Sequence, residues 1–95
     1  MKKYLFVMLM ENKKPLDGGV VERHVGHLKK LDDAGSLVLC GPFSDYGGGM
    51  VVVRAPSMEE ADKIFRSDPF VSEGYKTYQL RTLEAADKSN GFLPG

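Results

Sequence analysis

Residues 4–10, read YLFVMLM, are apolar without a break and rich in aromatic and β-favouring side chains. A run of that length, bounded by Glu11 and a polar connection containing Pro15, Gly18 and Gly19, predicts a central strand. Helical spacing then takes over. On a helix turning roughly 100° per residue, Val21, Val25, Leu28 and Leu31 share one apolar arc, and a helix is expected over residues 20–34. Asp17 stands just ahead of it, where a carboxylate meets free backbone N–H groups, and Gly35 stops it as a left-handed cap.

A short strand follows over residues 36–41, broken by Gly41-Pro42, and then a loop carrying Ser44, Asp45, Tyr46 and three glycines, Gly47 to Gly49. The glycines allow close backbone approach. They are not a phosphate loop, because no Lys-Ser/Thr follows and the run opens onto a strand. That third strand, 50–54, is again apolar at consecutive positions. Ser57 and Glu60 are spaced as a capping box for a second helix in which Ala61, Ile64 and Phe65 share a face. Asp68 continues that stripe, and Pro69 disfavours helical geometry there and ends the helix. Residues 75–83 alternate as a fourth strand.

Strand, helix, strand, strand, helix, strand is the order of a ferredoxin-like βαββαβ sandwich of the α+β class, with an antiparallel sheet and both helices on one face. Residues 1–84 make up this domain and 85–95 a tail with two more apolar residues, Phe92 and Leu93. Two helices cover one face of a four-stranded sheet, yet the first and third strands are apolar on both. The second face is therefore expected to meet a second copy, giving a homodimer closed as an α+β barrel.

Composition narrows the classes further. Lys plus Arg and Asp plus Glu balance at 13 each in 95 residues, without the basic excess that tracks nucleic acid or anionic lipid. The apolar start is too short for a signal or membrane segment, and the single cysteine cannot form an internal disulfide. A cytoplasmic protein without nucleic-acid or membrane partners is the expectation. No motif calls for a cofactor.

Each helix carries one titratable group on its inward stripe: His24, inside the apolar arc of the first, and Asp68, at the end of the second. A carboxylate bonded to one imidazole nitrogen fixes the tautomer and leaves the other nitrogen free to move a proton. The plainer reading keeps His24 as a satisfied core histidine and Asp68 as a turn residue.

His24, then Gly35, then Gly41-Pro42, then Asp68-Pro69-Phe70 with Gly74 behind it, taken in order, resemble the YCII-related domain family of small bacterial proteins. His24 rather than His27 stands about three turns before the glycine, as in that family. The resemblance spans roughly residues 4–83. It implies a fold similar to muconolactone isomerase, a dimeric α+β barrel and a His-Asp pair in a pocket, here His24 and Asp68. It also implies lyase- or isomerase-like proton transfer on a small cyclic or aromatic compound, without a cofactor.

Gly41, Pro42 and Phe70, with Ser44 and Tyr46 at the mouth, are the expected substrate-binding residues. Arg54, Arg66 and Arg81 read as solvated charges, so no anion clamp is evident. His24 and His27 sit on neighbouring helical positions, but no third ligand at recognisable spacing accompanies them and no metal site is expected. Cys40 reads as a small core residue. Two classes stay open: an enzyme using His24 and Asp68, and a non-catalytic module in which the same pair orients a bound small molecule.

Overall fold

The computed structural model describes residues 2–94. Strand β1 (Tyr4–Asn12), helix α1 (Gly18–Asp33), strands β2 (Leu37–Pro42) and β3 (Gly48–Val53), helices α2 (Met58–Arg66) and α3 (Pro69–Ser72) and strand β4 (Lys76–Glu84) follow in that order. The sheet is antiparallel throughout, with strand order β2-β3-β1-β4. This is the ferredoxin-like arrangement, with the longest apolar run, β1, at its centre.

Alternation along β1 decides which side chains meet the helices. Phe6, Met8 and Met10 point to the helical layer and join Val51 and Val53 of β3, Val20 of α1, Ala61 and Phe65 of α2 and Phe70 of α3 in one core. Burying side chains such as Phe65 and Met8 contributes about 1.5–3 kcal/mol each. Leu5, Val7 and Leu9 point the other way, beside Val52 and Leu83 on neighbouring strands. That second face carries no helix.

The caps act where the sequence placed them. Asp17 accepts a 2.8 Å hydrogen bond from the Val20 amide, and Ser57 accepts one from the Glu60 amide at 3.2 Å. Gly35, at φ +77°, lets Ser36 N–H reach back to the Leu31 carbonyl and closes α1. Gly48 is required for a different reason: a Cβ there would lie 2.1 Å from the Met10 carbonyl oxygen, so only glycine lets β3 approach β1 at this point.

Two expectations change. The buried stripe of α1 is set by Val20 and His24, while Val21 and Val25 are 39% and 40% exposed. The arc is turned by about one position because α1 begins at Gly18 and packs chiefly on α3. Asp68 does not end α2, which stops at Arg66; it caps α3, a separate four-residue helix with Pro69 in its first turn. Beyond β4, Asp87 caps a single 3-10 turn at Lys88–Asn90, and Lys3 donates to both Asp87 and Ser89, holding this segment beside the start of β1. Among the described residues, no helix is long and apolar enough to cross a membrane.

Candidate active site

Asp68 is 1% exposed, an expensive place for a carboxylate unless its oxygens are satisfied. They are. The Phe70 amide donates to Oδ1 at 2.9 Å, and Nδ1 of His24 lies 2.8 Å from Oδ1 and 2.9 Å from Oδ2. An ionised carboxylate has no proton to give, so Nδ1–H is the donor and Nε2 keeps its lone pair. His24 is itself 9% exposed, and its ring stacks on Phe70 with centroids 3.8 Å apart and planes 17° from parallel. The Asp68 cap thus does two jobs: it starts α3, which delivers Phe70, and it orients the imidazole that Phe70 supports.

His24 borders a cavity of about 420 Å³ between α1 and one end of the sheet, a volume in the range that holds small organic ligands. Its walls are mainly apolar, from Met10, Leu16, Val21, Val25, Leu28 and Phe70, with the backbone of Gly41, Pro42 and Gly49 along β2 and β3. Val21 and Val25 are exposed because they face this space. Cys40 also lines it, half-buried and packed against the edge of the core.

Of the residues expected to bind substrate, Gly41, Pro42 and Phe70 line the cavity with His24. Ser44 and Tyr46 do not. Tyr46 belongs to a hollow on the helix-free face, beside Leu9, Phe43, Thr77 and Gln79, and donates a hydrogen bond to Glu11. The β2–β3 connection carries it there, away from α1. Among the described residues no group of three or more metal-ligating side chains gathers. His27 is half-buried, and burial pulls its imidazole below the ordinary histidine value, partly offset by Asp68.

One polar wall of the cavity was not foreseen. Lys76, the first residue of β4, is 6% exposed, and its ammonium lies 4.3 Å from the centroid of the Phe70 ring. Strand phase was the available signal: Lys76, Tyr78 and Leu80 share the core-facing side of β4, while Thr77, Gln79 and Arg81 face away. Arg23 of α1 clamps Glu73, just ahead of the Gly74 turn into β4, through hydrogen bonds of 2.8 Å and 2.6 Å. That exposed pair adds little stability, but it ties the segment bearing Phe70 and Lys76 to the helix bearing His24.

Residues 3–84 match the YCII-related domain, nearly the whole of the sheet and helical layer just described. The chain belongs to the YCII-related domain family. This YCII-related protein is 37% identical over 71 residues to an uncharacterised Bacillus subtilis (strain 168) protein, YjpA, the match covering 75% of this chain and 84% of that one. Its fold is similar to that of 5-chloro-2-hydroxyhydroquinone dehydrochlorinase from Burkholderia phenoliruptrix AC1100, solved in complex with 2,5-dihydroxybenzoquinone (TM-score 0.63, 19% identity, 90% of this chain and 98% of that one). It is similar likewise to muconolactone isomerase (TM-score 0.67, 14% identity, 96% and 97%).

Proposed function

We propose that this YCII-related protein is a small enzyme in which His24, oriented by Asp68, transfers a proton on a small cyclic or aromatic substrate held in the cavity, in a lyase- or isomerase-like reaction. The observation that carries this reading is the buried Asp68 carboxylate on Nδ1 of His24, which leaves Nε2 as the acceptor beside an apolar cavity of ligand size. In the neutral state Nε2 removes a proton; once imidazolium, held by the carboxylate, it returns one to another atom of the same compound. Phe70 supports the imidazole from beneath, and Gly41 and Pro42 line the cavity with it. The similarity in fold to a dehydrochlorinase and an isomerase supports the reaction class.

The working unit in this reading is a homodimer. Leu5, Val7 and Leu9 of β1, Leu39 of β2, Met50 and Val52 of β3 and Leu83 of β4 share the helix-free face. The apolar part of this face lies on β1, β2 and β3, while β4 adds Leu83 beside the polar Thr77, Gln79 and Arg81. Two such faces packed across a two-fold axis make the α+β barrel. Residues 1–84 form the domain, with 85–95 as an appendage to it. A single cysteine, with no partner in its own chain, suits a reducing compartment such as the cytoplasm.

A turnover screen against lactones, hydroxyquinones and halogenated phenols, run beside ligand-induced NMR shifts for the same compounds, tests the enzyme reading. Turnover abolished by His24→Gln is the expected outcome. Binding without turnover supports the non-catalytic module in its place.

A further inference from the structure

A lysine that is 94% removed from solvent ordinarily finds a carboxylate or a set of carbonyls. Lys76 has neither: among the described residues its ammonium makes no hydrogen bond and no ion pair, and its near contact is the face of Phe70 at 4.3 Å. Burial holds its pKa below the ordinary lysine value, and Asp68 offsets only part of that from behind His24. Its nitrogen is not sealed in, since among the described residues no side-chain nitrogen or oxygen is both fully buried and without a partner, so the ammonium stays open to the cavity and its N–H donors are available to a ligand there. The side chain ends at the wall of the cavity that His24 borders.

We infer that Lys76 is the anion-receiving group of this cavity, and that its ligands are planar ring compounds carrying an acidic hydroxyl or an enolisable carbonyl, bound through the charged oxygen. The inference rests on reading the cavity as the substrate site and adds to it the chemical class of the substrate. The imidazole of His24 and the ammonium of Lys76 lie 3.8 Å and 4.3 Å from the centroid of one shared ring, Phe70. Both residues line the same cavity, one on each side of the ring they share.

Charge balance gives the arrangement its sense. With Asp68 ionised, Lys76 protonated and His24 neutral, the site carries no net charge. When Nε2 of His24 takes a proton from a C–H or O–H conjugated with a ring carbonyl, the electron pair of that bond moves into the conjugated system and negative charge collects on oxygen. Imidazole becomes imidazolium, paired with Asp68; the new oxyanion accepts an N–H from Lys76. One negative and one positive charge appear together, each beside a group of opposite sign already in place. No arginine serves this purpose, since none of Arg23, Arg54, Arg66 and Arg81 lines the cavity.

The test is equilibrium binding of 4-nitrophenol, whose yellow anion and colourless acid are told apart by absorbance, against 4-nitroanisole, which has the same ring and no acidic proton. The folded protein is expected to bind the anion about 10- to 100-fold more tightly than the anisole and to keep bound nitrophenol yellow at pH values where the free compound is colourless. Lys76→Met, nearly isosteric, is expected to erase the preference; Lys76→Arg should keep part of it, and His24→Gln most of it. Equal affinity for the two probes in the unmodified protein overturns the inference without recourse to any variant. So does an undiminished preference in Lys76→Met. Retention of the preference in His24→Gln alongside wild-type turnover by that variant would remove the acid/base reading and leave the anion site standing.

Discussion

His24 and Asp68 are held together across the gap between α1 and α3, with Nδ1 at 2.8 Å and 2.9 Å from the two carboxylate oxygens, and the same carboxylate caps the helix that supplies Phe70. Orientation of the imidazole and position of the ring beneath it therefore depend on one buried side chain. Asp68→Asn keeps an acceptor for the Phe70 amide but removes the charge, and its amide can face Nδ1 with the wrong group. The expected result is a stability loss of about 1–3 kcal/mol in urea unfolding and a partial loss of activity, smaller than that of His24→Gln. Unchanged stability together with unchanged activity would mean that the carboxylate orients nothing.

The helix-free face of the sheet predicts the oligomer. Sedimentation at low micromolar concentration should show a homodimer, with an interface burying more than about 2,000 Å² in total. Val7→Glu, which places a carboxylate in the middle of that face between Val52 and Arg81, is expected to yield folded monomers. A wild-type monomer at that concentration would contradict the barrel.

Cys40 reports on access to the cavity, since it lines the space and is half-buried. Methyl methanethiosulfonate should label the native protein more slowly than the denatured one but to completion, and labelling should block subsequent ligand binding. Cys40→Ser should leave activity largely intact, because the thiol has no part in the proposed proton transfer. A thiol that resists the small reagent in the native state would show the cavity closed.

His27 gives a pH signature of its own. Burial lowers its pKa from the ordinary 6.5, so the unfolded chain takes up that proton more readily than the folded one. The folded state is at full stability above the ordinary value, loses stability as pH falls through it, and levels off below the depressed folded value. Urea midpoints measured between about pH 5 and 8 should show this slope, and His27→Asn should flatten it. A slope of opposite sign would indicate a partner for imidazolium instead of burial.

Much of this arrangement was legible in the chain. The unbroken run of β1, the Ser57 cap, Gly35 and the inward placement of His24 follow from period, capping chemistry and glycine geometry, and each lies where those rules put it. Asp68 was legible as inward-facing, but not as a cap. Asp-Pro read as the end of a helix, whereas it starts another, whose Phe70 packs into the core. Val20 was missed as the anchor of α1 because the phase of an amphipathic helix is fixed by what it packs on. Lys76 was hidden for a general reason: it fell within the expected strand 75–83, but lysine is so rarely buried that its place on the core-facing phase goes unread.

The central claim is that Nε2 of His24 moves the proton, and the most direct measurement is single-turnover kinetics of His24→Gln beside the wild type, once the screen yields a substrate. Gln keeps a polar side chain of similar length and can hydrogen-bond Asp68, but it has no group that takes up and returns a proton. The account predicts a variant with the wild-type fold and dimer, ligand affinity within about threefold, and a rate lower by about 10²–10⁴. Wild-type turnover by a folded His24→Gln protein would contradict it.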